Sequence, residues 1–135
     1  METFSHVTED IEKVIQAMNR LIGLEMKNYQ YKKLYGHWGN EIIHIFTTFY
    51  EKEAFDFLMR LTSILCEEDK KYLGDNIDLH LDERNRLHIR FDKQKAFKNI
   101  FKISRGDDII KVTIIIPQSN RTDTIDFYKK IGLII

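Results

Sequence analysis

The chain has 135 residues, 43% of them hydrophobic and 31% charged, and its 21 basic and 21 acidic side chains cancel to a formal net charge of zero. That composition excludes intrinsic disorder, and a lone cysteine, Cys66, excludes an internal disulfide. No apolar run approaches the ~20 residues of a membrane helix, and Glu2, His6, Glu9 and Asp10 stand where a leader would be basic and then apolar, so a cytoplasmic protein folding as one domain over 1–135 is expected.

In chain order, Val7, Ile11, Val14, Ile15, Met18, Leu21, Ile22 and Tyr29 recur at helical spacing and predict a long first helix, with Gly36 as its left-handed cap. Residues 41–50 fit a helical face through Ile42, Ile45, Phe46 and Phe49, but their β-branched and aromatic density favours a strand. Ala54, Phe55, Leu58, Leu61, Leu65 and Cys66 then mark the buried face of a helix stopped by Gly74. Alternation at Ile77, Leu79, Leu81 and again at Leu87, Ile89, Phe91 predicts two strands joined by a loop of Glu83, Arg84 and Asn85, with Asp82 facing Arg86, His80 facing His88 and Asp78 facing Arg90.

Over 93–105, Ala96, Phe97, Ile100 and Phe101 form a helical stripe opposite Lys95, Lys98, Lys102 and Arg105, with a strand over 97–104 as the rival reading. Residues 109–116 read as a strand ended by Pro117, and Thr122 or Asp123 can cap a last helix that closes at Gly132. The apolar end, Ile131, Leu133, Ile134 and Ile135, is expected to dock on its own chain or on a second copy, leaving monomer and homodimer both open. The implied fold is α+β: an antiparallel sheet of about four strands with helices packed on it, ferredoxin-like through a split β-α-β unit, with extra N- and C-terminal helices.

Phosphate-binding loops, dinucleotide fingerprints, paired-cysteine motifs and nucleophile elbows are all missing from the sequence, so no cofactor and no catalytic residue is assigned and a non-enzyme is expected. Two histidines across one hairpin, His80 and His88, fall short of a metal site, and arginines flank them. Charge is unevenly distributed: residues 1–75 carry 9 basic and 13 acidic groups, and residues 76–135 carry 12 and 8. Within 84–105, Arg84, Arg86, Arg90, Lys93, Lys95, Lys98, Lys102 and Arg105 are opposed only by Asp92, a candidate anion-binding surface. Trp38, in the glycine-flanked turn Gly36–Asn40, serves either as a lid on the core or as an interface anchor.

An RNA-recognition module reads bases with aromatics on its central strands, and the segment Arg86, Leu87, His88, Ile89, Arg90, Phe91 lacks the glycine and paired aromatics of that motif. The favoured reading is therefore a non-enzymatic protein-interaction module, of inhibitor, immunity or adaptor type, docking those basic residues and Trp38 on a protein with an acidic surface. The alternative is a nucleic-acid-binding accessory protein that uses 84–105.

Overall fold

The structure is a computed structural model that describes residues 1–26 and 28–135. Among the described residues, five strands form one antiparallel sheet: β1 (Glu2–His6), β2 (Gln30–Tyr35), β3 (Glu41–Phe46), β4 (Leu87–Asp92) and β5 (Ile109–Ile114), in the spatial order β2-β3-β1-β5-β4. Six helices of the described residues accompany it: α1 (Ile11–Ile22), α2 (Glu51–Ile64), α3 (Glu67–Asp75), α4 (Ile77–His80), α5 (Lys93–Phe97) and α6 (Arg121–Ile131). The fold is thus α+β with an antiparallel sheet, as the periodicities predict. Because β3 lies between β1 and β2, the unit β1-α1-β2 is a split β-α-β, and β5 completes the ferredoxin-like order. Strand β4 is an addition on the outer edge of β5, and α6 is the added C-terminal helix.

The first helix is a crossover inside the fold instead of an N-terminal extension, and it is much shorter than its apolar stripe suggests. Asp10 caps it by accepting the Glu12 amide at 3.0 Å, and Gly23, at φ 83°, ends it in the left-handed region. Tyr29 reaches the core from the loop beyond, where its hydroxyl donates to Asn19 Oδ1 at 2.6 Å. Gly36 is no helix cap: its amide donates to the Asn40 carbonyl at 2.8 Å in the β2–β3 turn.

Further on, the single helix expected up to Gly74 breaks at Leu65–Cys66, and α3 restarts with Glu67, Glu68 and Asp69 at its positive end. The strand expected over 77–82 is the single turn α4. Ile77 and Leu81 are buried four residues apart while Leu79 is 80% exposed, a helical spacing that the i, i+2 pattern of leucines hid. The hairpin loop falls where predicted, with Asn85 at φ 59° and the Asp82 amide donating to the Arg86 carbonyl at 3.1 Å. Between 93 and 105 the helix covers only the first part and no strand follows: α5 ends at Phe97, Asn99 turns the chain at φ 60°, and a single isolated bridge joins Ile103 to Phe91.

Leu87, Ile89, Phe91, Ile110, Val112, Thr3, Ser5 and Ile45 share the buried face of the sheet, against which the helices supply Ala17, Met18, Leu21, Leu61, Ala96 and Tyr128. Leu133 and Ile134 are buried on their own chain, and the Ile135 amide meets the Lys70 carbonyl at 3.4 Å.

Candidate nucleic-acid interface

Strand geometry sends alternate side chains to the second face of the sheet, which carries half-buried and exposed residues. Register places Gln30, Phe46, Glu2, Lys111 and Arg90 in one row across all five strands, and Lys32, His44 and Phe4 in the next. Three rings on the two central strands are nearly parallel: Phe4 and His44 have centroids 5.0 Å apart at 25°, and His44 and Phe46 are 4.8 Å apart at 24°. Phe4 is 41% exposed. Strand β1 therefore inverts the usual arrangement of a one-sided sheet, burying Thr3 and Ser5 and turning its ring outward. Thr3 compensates by donating its hydroxyl to the Ile109 carbonyl at 2.8 Å.

Nε2 of His44 is buried without a hydrogen-bond partner, and the nearest carboxylate, that of Glu2, stands 3.5 Å away outside hydrogen-bonding geometry. Among the described residues, Lys32, Lys111 and Arg90 form no ion pair, although Arg90 donates to the Gly106 carbonyl at 3.0 Å. Where the row reaches Phe46, an apolar cleft of about 420 Å³ opens between the ends of β3 and β5 and the first turns of α2, lined among others by Phe55, Leu58 and Phe127.

The basic segment does not form one surface. Lys93 is 3% exposed, its ammonium donating to the Phe4 carbonyl at 2.7 Å and pairing with Glu9 at 3.0 Å and Asp108 at 2.8 Å. It ties β1 to the turn after β4, so its charge is consumed inside the fold. Arg86 pairs with Asp82 at 2.6 Å, Lys102 Nζ lies 3.1 Å from Cys66 Sγ, and the Arg105 guanidinium sits 5.0 Å over the Tyr72 ring. Arg84, Arg90, Lys95 and Lys98 remain exposed, as does Arg105 above its tyrosine ring. Trp38 is 89% exposed at the tip of the β2–β3 turn, so it is not a lid on the core.

Asp82 organises the other hairpin. Its Oδ1 accepts the amides of Arg84 at 2.9 Å and Arg86 at 3.0 Å, and its Oδ2 accepts from the Arg86 guanidinium and from His88 Nε2 at 2.9 Å. The His88 ring first, and then the Arg86 and Arg84 donors, hold this carboxyl well below the usual range against the opposing effect of burial. His80 does not face His88 across paired strands: it ends α4 and bonds the His88 backbone carbonyl at 3.0 Å, and Asp78 pairs with Arg121 at 2.9 Å and not with Arg90. Both imidazoles are thus engaged in protein contacts.

The ring row is not evident from the sequence, because β1 lacks the apolar alternation of a strand and β4 is the strand whose pattern stands out. The available signal was the five-residue alternation Glu2, Thr3, Phe4, Ser5, His6, read with its ring on the solvent side.

An antiparallel sheet with one face helix-covered and the other open, bearing rings on its central strands, defines the class of small α+β sandwiches with a bare sheet face. Within that class, the family model described as RNA binding matches residues 1–116, and the chain belongs to this family. An RNA-binding protein of Pyrococcus abyssi is 35% identical over 119 residues, spanning 84% of this chain and 77% of the relative. Two solved structures share the fold, each at 24% identity. A DUF54 protein from Methanothermobacter thermautotrophicus has a TM-score of 0.79 over 97% of this chain and 93% of its own, and one from Sulfolobus solfataricus has 0.76 over 96% and 93%. Family membership overturns the reading as an inhibitor, immunity-type or adaptor module, and favours the nucleic-acid alternative.

Proposed function

We propose that the protein binds RNA as a cytoplasmic, one-domain binding protein without chemistry of its own. One observation carries the reading: in a chain of the RNA-binding family, Lys32, Lys111 and Arg90 stand on the same sheet face with no acidic partner among the described residues. Unneutralised cations are what a phosphate backbone needs, since their gain comes from released counterions. Arg84, Lys95, Lys98 and Trp38, all exposed, extend the proposed contact surface beyond the sheet. Arg86, Lys93, Lys102 and Arg105 already have internal partners and contribute less.

Fluorescence anisotropy of a labelled RNA over a salt series tests this. Affinity should fall as salt rises, and Arg90→Glu with Lys111→Glu should weaken binding and reduce the steepness of log K against log salt by roughly one unit or more. A wild-type protein that binds no RNA even at low salt overturns the proposal.

A further inference from the structure

The row of rings on the open face has properties that a phosphate-binding surface does not need. We infer that Phe4, His44 and Phe46 form a stacking site for unpaired bases, so that the RNA class recognised is single-stranded or looped. The inference rests on the RNA-binding reading above and specifies its ligand.

Three observations carry it. The first is the inversion of β1, where two hydroxyl residues are buried and a phenyl ring is left 41% exposed at the centre of the sheet. Folding alone favours the opposite arrangement, because a solvated sheet face is normally polar. Departures of this kind from local consistency are expected where a surface has another task.

The second is ring geometry. Angles of 25° and 24° make a near-parallel array in place of edge-to-face packing, and its two end members, Phe4 and Phe46, bound the row. A flat base extends such an array on either end without altering it, and stacking on aromatic side chains is how single strands are held whatever their sequence.

The third is Nε2 of His44 in the middle of the array, a buried nitrogen that makes no hydrogen bond and has only the half-exposed Glu2 carboxylate beside it at 3.5 Å. The edge of an unpaired base offers the hydrogen bond this nitrogen lacks once the Glu2 side chain swings out toward solvent. Cations flank the rings on both sides. Lys32 faces His44 from β2, and Lys111 lies on β5, three strand spacings or about 14 Å across the sheet. A strand laid over the rings would keep its backbone within reach of both. In a paired A-form helix, by contrast, the base faces are already stacked on each other and cannot reach the rings.

The test compares a labelled single-stranded RNA with a fully paired duplex of the same sequence, over the same series of salt concentrations, using wild type, Phe4→Leu, Phe46→Leu and the Arg90→Glu/Lys111→Glu pair. Circular dichroism melts verify that each variant is folded; the exposure of Phe4 makes its leucine variant the safer of the two. Wild type should prefer the single strand. Each leucine variant should lose about 5- to 100-fold in single-strand affinity with its salt dependence unchanged, since leucine keeps apolar bulk but loses the ring. In nuclear magnetic resonance spectra the Phe4, His44 and Phe46 ring signals should shift when the single strand is added. Equal affinity for strand and duplex, or leucine variants that bind like wild type, overturns the stacking site while leaving RNA binding standing. Failure of wild type to bind either form overturns both.

Discussion

Asp82 shows how much of a hairpin one carboxylate can organise. Two amides, a guanidinium and an imidazole converge on it, and together they hold its carboxyl below its ordinary range in the folded state. An aspartate whose folded value is depressed binds its proton more readily when the chain is unfolded. Its stabilising contribution is therefore complete above the unfolded value of about 3.9 and is lost as pH falls below it. We expect the wild-type melting temperature to fall steeply in that acid range and the Asp82→Asn protein, already less stable at neutral pH, to fall less steeply. Thermal melts of both between pH 7 and the acid limit of folding check this. Parallel curves would mean that other carboxylates dominate acid unfolding.

At the scale of elements, α3 and the C-terminal tail make a prediction whose sign helix propensity gets wrong. Gly74 lies inside α3, where an alanine ordinarily gains about 0.8–1.0 kcal/mol. Here the Ile135 carbonyl passes directly over the glycine, and a Cβ would collide with it while also touching Ile134. Gly74→Ala should instead lose about 1–3 kcal/mol by overpacking, measured by urea unfolding, and deleting Ile135 from that variant should recover part of the loss. The same glycine illustrates what sequence can and cannot convey. Read alone it is a stop signal; in the fold it is a small residue under a backbone that arrives sixty positions later.

Elements whose signals are local were legible. The 82–86 hairpin, β3, β4, β5 and the Gly132 stop all follow from alternation, turn chemistry or a left-handed glycine. Those that depend on distant partners were not. Strand β1 has no apolar inner face to betray it, since Thr3 becomes a core residue only by meeting Ile45 and Ile110, and Ser5 only by meeting Ile43, all from far along the chain. Strand β2, Gln30–Tyr35, is an edge with two adjacent lysines and reads as the charged end of a helix. The basic run 84–105 is legible as charge, but whether a lysine faces water is decided by its tertiary neighbours, and Lys93 meets two carboxylates and a carbonyl.

For the molecule as a whole, these placements redistribute a formal net charge of zero. Cations that look contiguous in sequence are divided between internal ties and open surface, whereas Lys32, Arg90 and Lys111, dispersed in sequence, meet on one face. A ligand would sense this assembled pattern and not the linear one, so the proposed cationic contacts of the sheet are spread over three strands that need the complete sheet to line up.

The central place of β1 also governs the order in which the sheet can be built during synthesis. Strands β1, β2 and β3 are made early and can pair as 2-3-1, but β1 then waits with a bare edge until β5, more than sixty residues beyond β3, has left the ribosome. An unpaired edge beside an outward phenyl ring is a template for pairing with another nascent chain. A fragment of residues 1–80 should accordingly self-associate in light scattering, and a separately supplied β5 peptide should suppress that association by taking its place along β1. A monodisperse fragment would mean that the waiting edge is protected by something other than its final neighbour.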